Sequence, residues 1–132
     1  MKQLLPMLLL LLIGIPVNPV LAINQENELP KCVVVTHCVR NNWEVSNVEE
    51  AFKKAKRLIE KTPRTRITEQ TDSYIHAEAM TRWLHYVDDL ELKALEKKGV
   101  LQIRSESRVG IGDNGVNKKR INNLAYLMST NK

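Results

Sequence analysis

Residues 87–109, VDDLELKALEKKGVLQIRSESRV, carry the reading on which the fold depends. Apolar and polar side chains alternate from Val87 to Leu95 and again from Val100 to Val109. Between them, Glu96-Lys97-Lys98-Gly99 forms a four-residue turn ending in glycine, so the stretch reads as a β-hairpin. Setting Leu95 opposite Val100 places Ala94 opposite Leu101 and Leu92 opposite Ile103, which gives one apolar face. A slip of one residue would destroy it. The other face is charged: Glu91 falls opposite Arg104, and Asp89 opposite Glu106 with Arg104 and Arg108 on its diagonals, within reach of long side chains.

Working outward, Ser73 to Trp83 also alternates, with His76, Glu78 and Arg82 on one parity and Ile75, Ala77, Ala79 and Trp83 on the other. A turn near Leu84 to Tyr86 sets His76 and Glu78 beside Glu91. Arg64 to Gln70 reads as a further strand. Upstream, the period is helical over about 46–61. Ser46-Asn47-Val48-Glu49 fits a capping box, and Val48, Phe52, Ala55, Leu58 and Ile59 form one stripe that ends before Pro63. A last helix over about 117–129 carries Ile121, Leu124, Ala125 and Met128. The expected fold class is α+β: a single domain with an antiparallel sheet of three or four strands and two helices packed on one face. Trp43, Trp83 and His85 read as core or edge packing. Neighbours on a strand point to opposite faces, so Asp88 falls on the apolar side, away from Asp89, as a turn cap or acceptor of backbone bonds.

The chain has 132 residues, and its beginning has the pattern of a secretory leader: Lys2, an apolar stretch from Leu4 to Ile15, then Val20-Leu21-Ala22. Cleavage is expected after Ala22, leaving 23–30 as a flexible lead and 31–130 as the domain. The apolar run is about a dozen residues, short of the roughly 20 that span a bilayer, and Pro16 and Pro19 break it. The expected location is exported, in a periplasm or thylakoid lumen. The formal charge is +5, or +4 without Lys2, too diffuse to indicate nucleic acid.

Two cysteines in an exported chain favour a Cys32–Cys38 disulfide, which would contribute roughly 2 kcal/mol by closing a loop of about seven residues. Bridged α-carbons lie about 5.5 Å apart, against about 20 Å for an extended segment, so Val33 to Val35 must then bend. A zinc site from Cys32, His37 and Cys38 lacks a fourth ligand. The remaining alternative is free or mixed-disulfide thiols. Gly110-Ile111-Gly112-Asp113-Asn114-Gly115 has the letters of a dinucleotide-binding turn. The chain ends before a second parallel strand or a ribose-binding acid could follow. The stretch reads instead as a turn with positive φ leading into a helix capped by Asn117. Backbone amides there, with Lys118, Lys119 and Arg120, could hold a phosphate or carboxylate.

Four segments, Tyr74-Ile75-His76-Ala77-Glu78, Val87-Asp88-Asp89-Leu90-Glu91, Arg104-Ser105-Glu106-Ser107-Arg108-Val109-Gly110 and Asp113-Asn114-Gly115-Val116-Asn117-Lys118-Lys119-Arg120, together resemble domain-of-unknown-function family 1499. The Cys32/Cys38 spacing fits as well, so the resemblance covers about residues 30–130. It implies a small bacterial or plastid protein, often exported or membrane-linked, with no established reaction. Departures are Val33 to His37 in place of a proline-containing turn between the cysteines, Val87 for Phe, Gly112 for Ser, and Glu106 where a small residue is usual. Glu106 places a second negative charge opposite Asp89 and works against anion binding on that face.

The reading that follows is an exported binding or assembly-support module. Glu91, Arg104 and Arg108, with Asp113, Asn117, Lys118 and Arg120, would contact a small anionic ligand or an envelope or lumen protein partner. The alternative is a hydrolase- or lyase-like enzyme in which His76 with Glu78 or Asp89 is the general base and the two arginines hold an anionic substrate. No nucleophile motif supports it, so the reading leans away from an enzyme. A purely structural protein is the third possibility. No cofactor, metal or nucleic acid is expected, and membrane contact only through an uncleaved leader.

Overall fold

In the computed structural model the hairpin closes in the expected register. Leu95 pairs with Val100, Ala94 with Leu101, Leu92 with Ile103, Glu91 with Arg104 and Asp89 with Glu106. A 3₁₀ turn over Glu96–Lys98 leads to Gly99, whose φ of 64° is a conformation that a side chain disfavours. The structure describes residues 27–110 and 112–130. The leader and its cleavage after Ala22 lie outside them.

The described elements are β1 (Cys38–Glu44), α1 (Val48–Glu60), β2 (Thr65–Gln70), β3 (Tyr74–Met80), β4 (Val87–Leu95), β5 (Val100–Ser107) and α2 (Val116–Thr130). They form a single α+β domain around a five-stranded antiparallel sheet of order β1-β5-β4-β3-β2, so the expectation of three or four strands is one short. The missed strand is β1. Its sequence, CVRNNWE, puts two asparagines and two charges among seven residues, a composition poor in strand formers, and it lies at an edge with only β5 as partner.

Both helices cover one sheet face. Phe52, Ala55 and Ile59 of α1 and Ile121 and Leu124 of α2 join Ile75, Ala77, Leu90, Leu92, Leu101 and Ile103 in one buried cluster. Helix α1 starts one residue later than a box headed by Ser46 would have it. Asn47 is the cap, its Oδ1 accepting from the Glu50 N–H at 2.9 Å. Helix α2 is started by Asp113 rather than by Asn117. The Asp113 carboxylate accepts from the N–H groups of Gly115 and Asn117, whereas Asn117 sits inside the helix and is fully buried. Strand β3 stops at Met80, three residues before the expected end, and β5 stops at Ser107. Trp83 therefore stands on the β3–β4 hairpin tip, 82% exposed, and His85 is exposed there too with φ 54°. Packing is the wrong reading for both, while Trp43 does pack against the core.

The other sheet face is crossed at one end by the segment before β1. Leu29, in the stretch read as a flexible lead, is 4% exposed, and its N–H donates to Gln102 Oε1. Arg40 donates to the Leu29 carbonyl at 2.7 Å and to Glu28 at 2.6 Å, and Lys98 pairs with Glu28. The Cys32–Cys38 disulfide, with α-carbons 5.5 Å apart, fastens this strap to the start of β1. The chain between them bends as required, with the His37 N–H donating to the Val34 carbonyl. With both thiols consumed, zinc and free-thiol readings of this loop fall away.

Candidate functional site

Antiparallel pairing sets His76 opposite Glu91 and Glu78 opposite Asp89 on the uncovered face, as the alternation requires. A bulge in β2 then adds a residue that sequence reading did not select. Ile67 pairs with Ala77 and Glu69 with His76, so Thr68 is the extra residue between them. Its hydroxyl lies 2.6 Å from His76 Nδ1, while His76 Nε2 lies 2.7 Å from Asp89 Oδ1. With Nε2–H donating to the carboxylate, Nδ1 is left to accept from the hydroxyl.

Around this chain the charges are tied to one another. Arg108 donates from Nε and NH2 to Asp89, the closest contact being 2.7 Å, and from NH2 to Glu78 at 2.9 Å. Arg66 reaches Glu78 from the other side at 3.2 Å. Arg104 donates to Glu91 at 2.8 Å and to Glu106, and Tyr74 donates its hydroxyl to Glu91 at 3.0 Å. The Arg104 Nε is buried without a partner.

These contacts move the titrations. Burial pushes Asp89 up, but hydrogen bonds from Arg108 and His76 outweigh it and hold its carboxyl below the ordinary range. Arg108 and Arg66 do the same for Glu78, while Asp89 and Glu78 hold Arg108 more firmly protonated. Burial, then the bond to Glu91, raises the Tyr74 phenol.

In shape the face is a shallow, open depression of ≈ 340 Å³ lined by Glu69, Tyr74, His76, Asp89, Glu91 and Arg104. Both signs are present: Glu69, Glu78, Asp89, Glu91 and Glu106 share the face with Arg40, Arg66, Lys93, Arg104 and Arg108. The larger groove, ≈ 960 Å³, lies on the helical side between α1 and the end of α2 and touches none of these residues.

The remaining expected site residues are elsewhere. Asp113, Asn117 and Arg120 belong to a buried network beneath α2, on the opposite sheet face. Arg120 NH2 donates to Asp88 Oδ2 at 2.7 Å, and NH1 donates to Ser105 Oγ at 2.9 Å and Asn117 Oδ1 at 2.8 Å. The Asn117 amide reaches the His37 carbonyl and Ser107 Oγ, and Ser105 donates to Asn117 at 2.6 Å. Asp88 is thus the counterion of Arg120, and the expected turn cap or backbone acceptor is corrected. Arg120 is spent inside, and Lys118 and Lys119 remain exposed on the first turn of α2. Parity placed Asp88 on the apolar side; the consequence left unread was that Asp88, Ser105 and Ser107 all fall on the helix-facing parity of otherwise apolar strands, so polar partners had to come from the covering helix.

The letters that looked like a ligand-binding turn therefore build a helix start and a polar bracket. No curated protein matches the chain. Residues 23–127 match the family described as protein of unknown function, DUF1499, and with a match over most of its length, including both cysteines, the polar face and the α2 bracket, the chain belongs to that family.

Proposed function

We propose that the chain is an exported binding module whose uncovered sheet face, centred on His76, Asp89, Glu91, Arg104 and Arg108, docks a protein partner. The observation that carries this reading is the mutual saturation of charge on an open surface. Arg104 and Arg108 are each held by two carboxylates, so a small anion would have to displace them, whereas a partner that presents both donors and acceptors meets the paired charges as they stand. Of the two expected contacts, protein partner and small anion, the partner is the better supported. An active site of this chemistry gains from excluding water, which a shallow depression does not do. The disulfide supports an oxidising compartment.

The test is a crosslinked pull-down from cells that make the protein, comparing it with an Arg104→Ala/Arg108→Ala variant of equal thermal stability. A partner captured by the native chain and lost in the variant supports the reading; capture of the same partners by both refutes it. One geometry favours a hydrolase-like second reading, the Thr68–His76–Asp89 chain of hydroxyl, imidazole and carboxylate. Turnover of an activated ester that disappears in both Thr68→Val and His76→Ala would establish it, and equal turnover in all three proteins would remove it.

A further inference from the structure

The end of the sheet where β3 meets β4 gathers nearly all the exposed apolar side chains of the described residues. The antiparallel order brings four connections to this end: the disulfide loop before β1, the segment from α1 to β2, the β3–β4 hairpin, and the segment from β5 to α2. Val33 and Val35 are 89% and 77% exposed, Trp83 and Leu84 at the hairpin tip 82% and 68%, and Val109 is 51% exposed. Val34, Met80 and Tyr86 lie at the same end, which leaves only Tyr126 of the large exposed apolar residues elsewhere. At about 4.8 Å per strand, the patch extends about 14 Å from the β1 loop to the β3 end. Exposed apolar side chains are thus concentrated at one end of the sheet.

Its charge is predominantly positive. In the four connections and the first turn of α2, Arg108 is held by Asp89 and Glu78, whereas Lys31, Lys61, Arg64, Arg82, Lys118 and Lys119 are paired with no carboxylate among the described residues. The connections hold a single carboxylate, Asp113, which is occupied in starting α2. Arg82 lies 5.0 Å from the centroid of the Trp83 ring, so the most protruding aromatic side chain carries its own cation. Exposed Trp, Tyr and Leu on a hairpin tip at an end rich in Lys and Arg is the chemistry of a membrane interface, where apolar rings enter the headgroup layer and cations meet lipid phosphates.

We propose that this end of the sheet docks on an anionic lipid surface, with Trp83 and Leu84 entering the interface. The surface adjoins the polar face, Arg64 and Met80 lining one depression with Arg66 and Glu78, but the proposal does not rest on the partner reading. The chain has two tryptophans, so a Trp43→Phe variant of the full chain makes Trp83 the sole reporter. Mixed with phosphatidylcholine–phosphatidylglycerol vesicles, Trp83 emission shifts to the blue, is quenched by bromine-labelled acyl chains, and recovers at high salt. An Arg82→Glu/Leu84→Ser change lowers partitioning at least about tenfold. Should Trp43→Phe weaken the fold, Trp83→Phe with Trp43 retained gives the same answer by abolishing the quenching. Because Trp83 itself is read, retention of the leader does not imitate the result. An unshifted, unquenched Trp83 on anionic vesicles overturns the proposal. So does equal quenching on pure phosphatidylcholine, or a blue shift that follows protein concentration without lipid, which would make a second copy the occupant.

Discussion

Replacing Asp88 by asparagine keeps the shape of the side chain and removes only its charge. Asp88 is 1% exposed and the Arg120 side chain 15% exposed, so the guanidinium would be left with neutral acceptors alone, the new amide oxygen and those of Ser105 and Asn117. Breaking a buried pair from one side costs about 3–5 kcal/mol, because the remaining charge is neither solvated nor matched. For a domain of this size, that is a fall in melting temperature of roughly 15–25 °C. Converting both residues to apolar ones, Asp88→Leu with Arg120→Met, removes both desolvation costs, and Ser105 and Asn117 still bond each other. The double variant is therefore expected within about 1 kcal/mol of the native protein. Thermal and urea unfolding followed by circular dichroism reads all three proteins. A loss below about 1 kcal/mol for Asp88→Asn, or a double variant no better than the single, would refute the assignment of Asp88 and Arg120 as a buried bracket.

Reducing the Cys32–Cys38 bond lowers stability by about 2 kcal/mol and opens the strap. Hydrogen exchange should quicken over residues 28–38 and stay slow in α2, and unchanged exchange in the strap would contradict this. Leu29→Ala costs about 2 kcal/mol as a large-to-small change at a buried site; a change within 0.5 kcal/mol, roughly the surface range, would mean that the strap is only loosely held. Glu78 and Asp89 have folded-state pKa values below their ordinary ones, so their contribution is present above the unfolded carboxylate range and is lost as pH falls through the depressed values. The urea midpoint should therefore fall below about pH 4, and Glu78→Gln/Asp89→Asn should flatten that fall while lowering the midpoint at pH 7.

The sheet was legible where neighbours in sequence are neighbours in space. The β4–β5 hairpin has a short turn and two matched alternations, so its register could be read residue by residue, and the alternation of β3 with a turn near Leu84 to Tyr86 set His76 and Glu78 beside Glu91. What could not be read depends on distant contacts. The Arg120–Asp88 pair joins residues 32 positions apart, and Asn117 looked like a cap because its burial is decided by strands on the far side of the core. Thr68 enters the site through a one-residue bulge that leaves no mark in the alternation of so short a strand. Strand β1 was missed because its pairing with β5 lies 56 to 68 residues ahead and its own composition argues against a strand.

That separation has a consequence for the growing chain. Every other strand pair joins neighbours in sequence, whereas β1 is made first and its only partner last. During synthesis, β1 must wait with both edges unpaired while the meander behind it is still being delivered. A strand of valines would be an invitation to neighbouring chains at that stage; Arg40, Asn41, Asn42 and Glu44 make it a poor template. The polarity that hid β1 from sequence reading is what lets an early strand with a late partner remain solitary until β5 arrives.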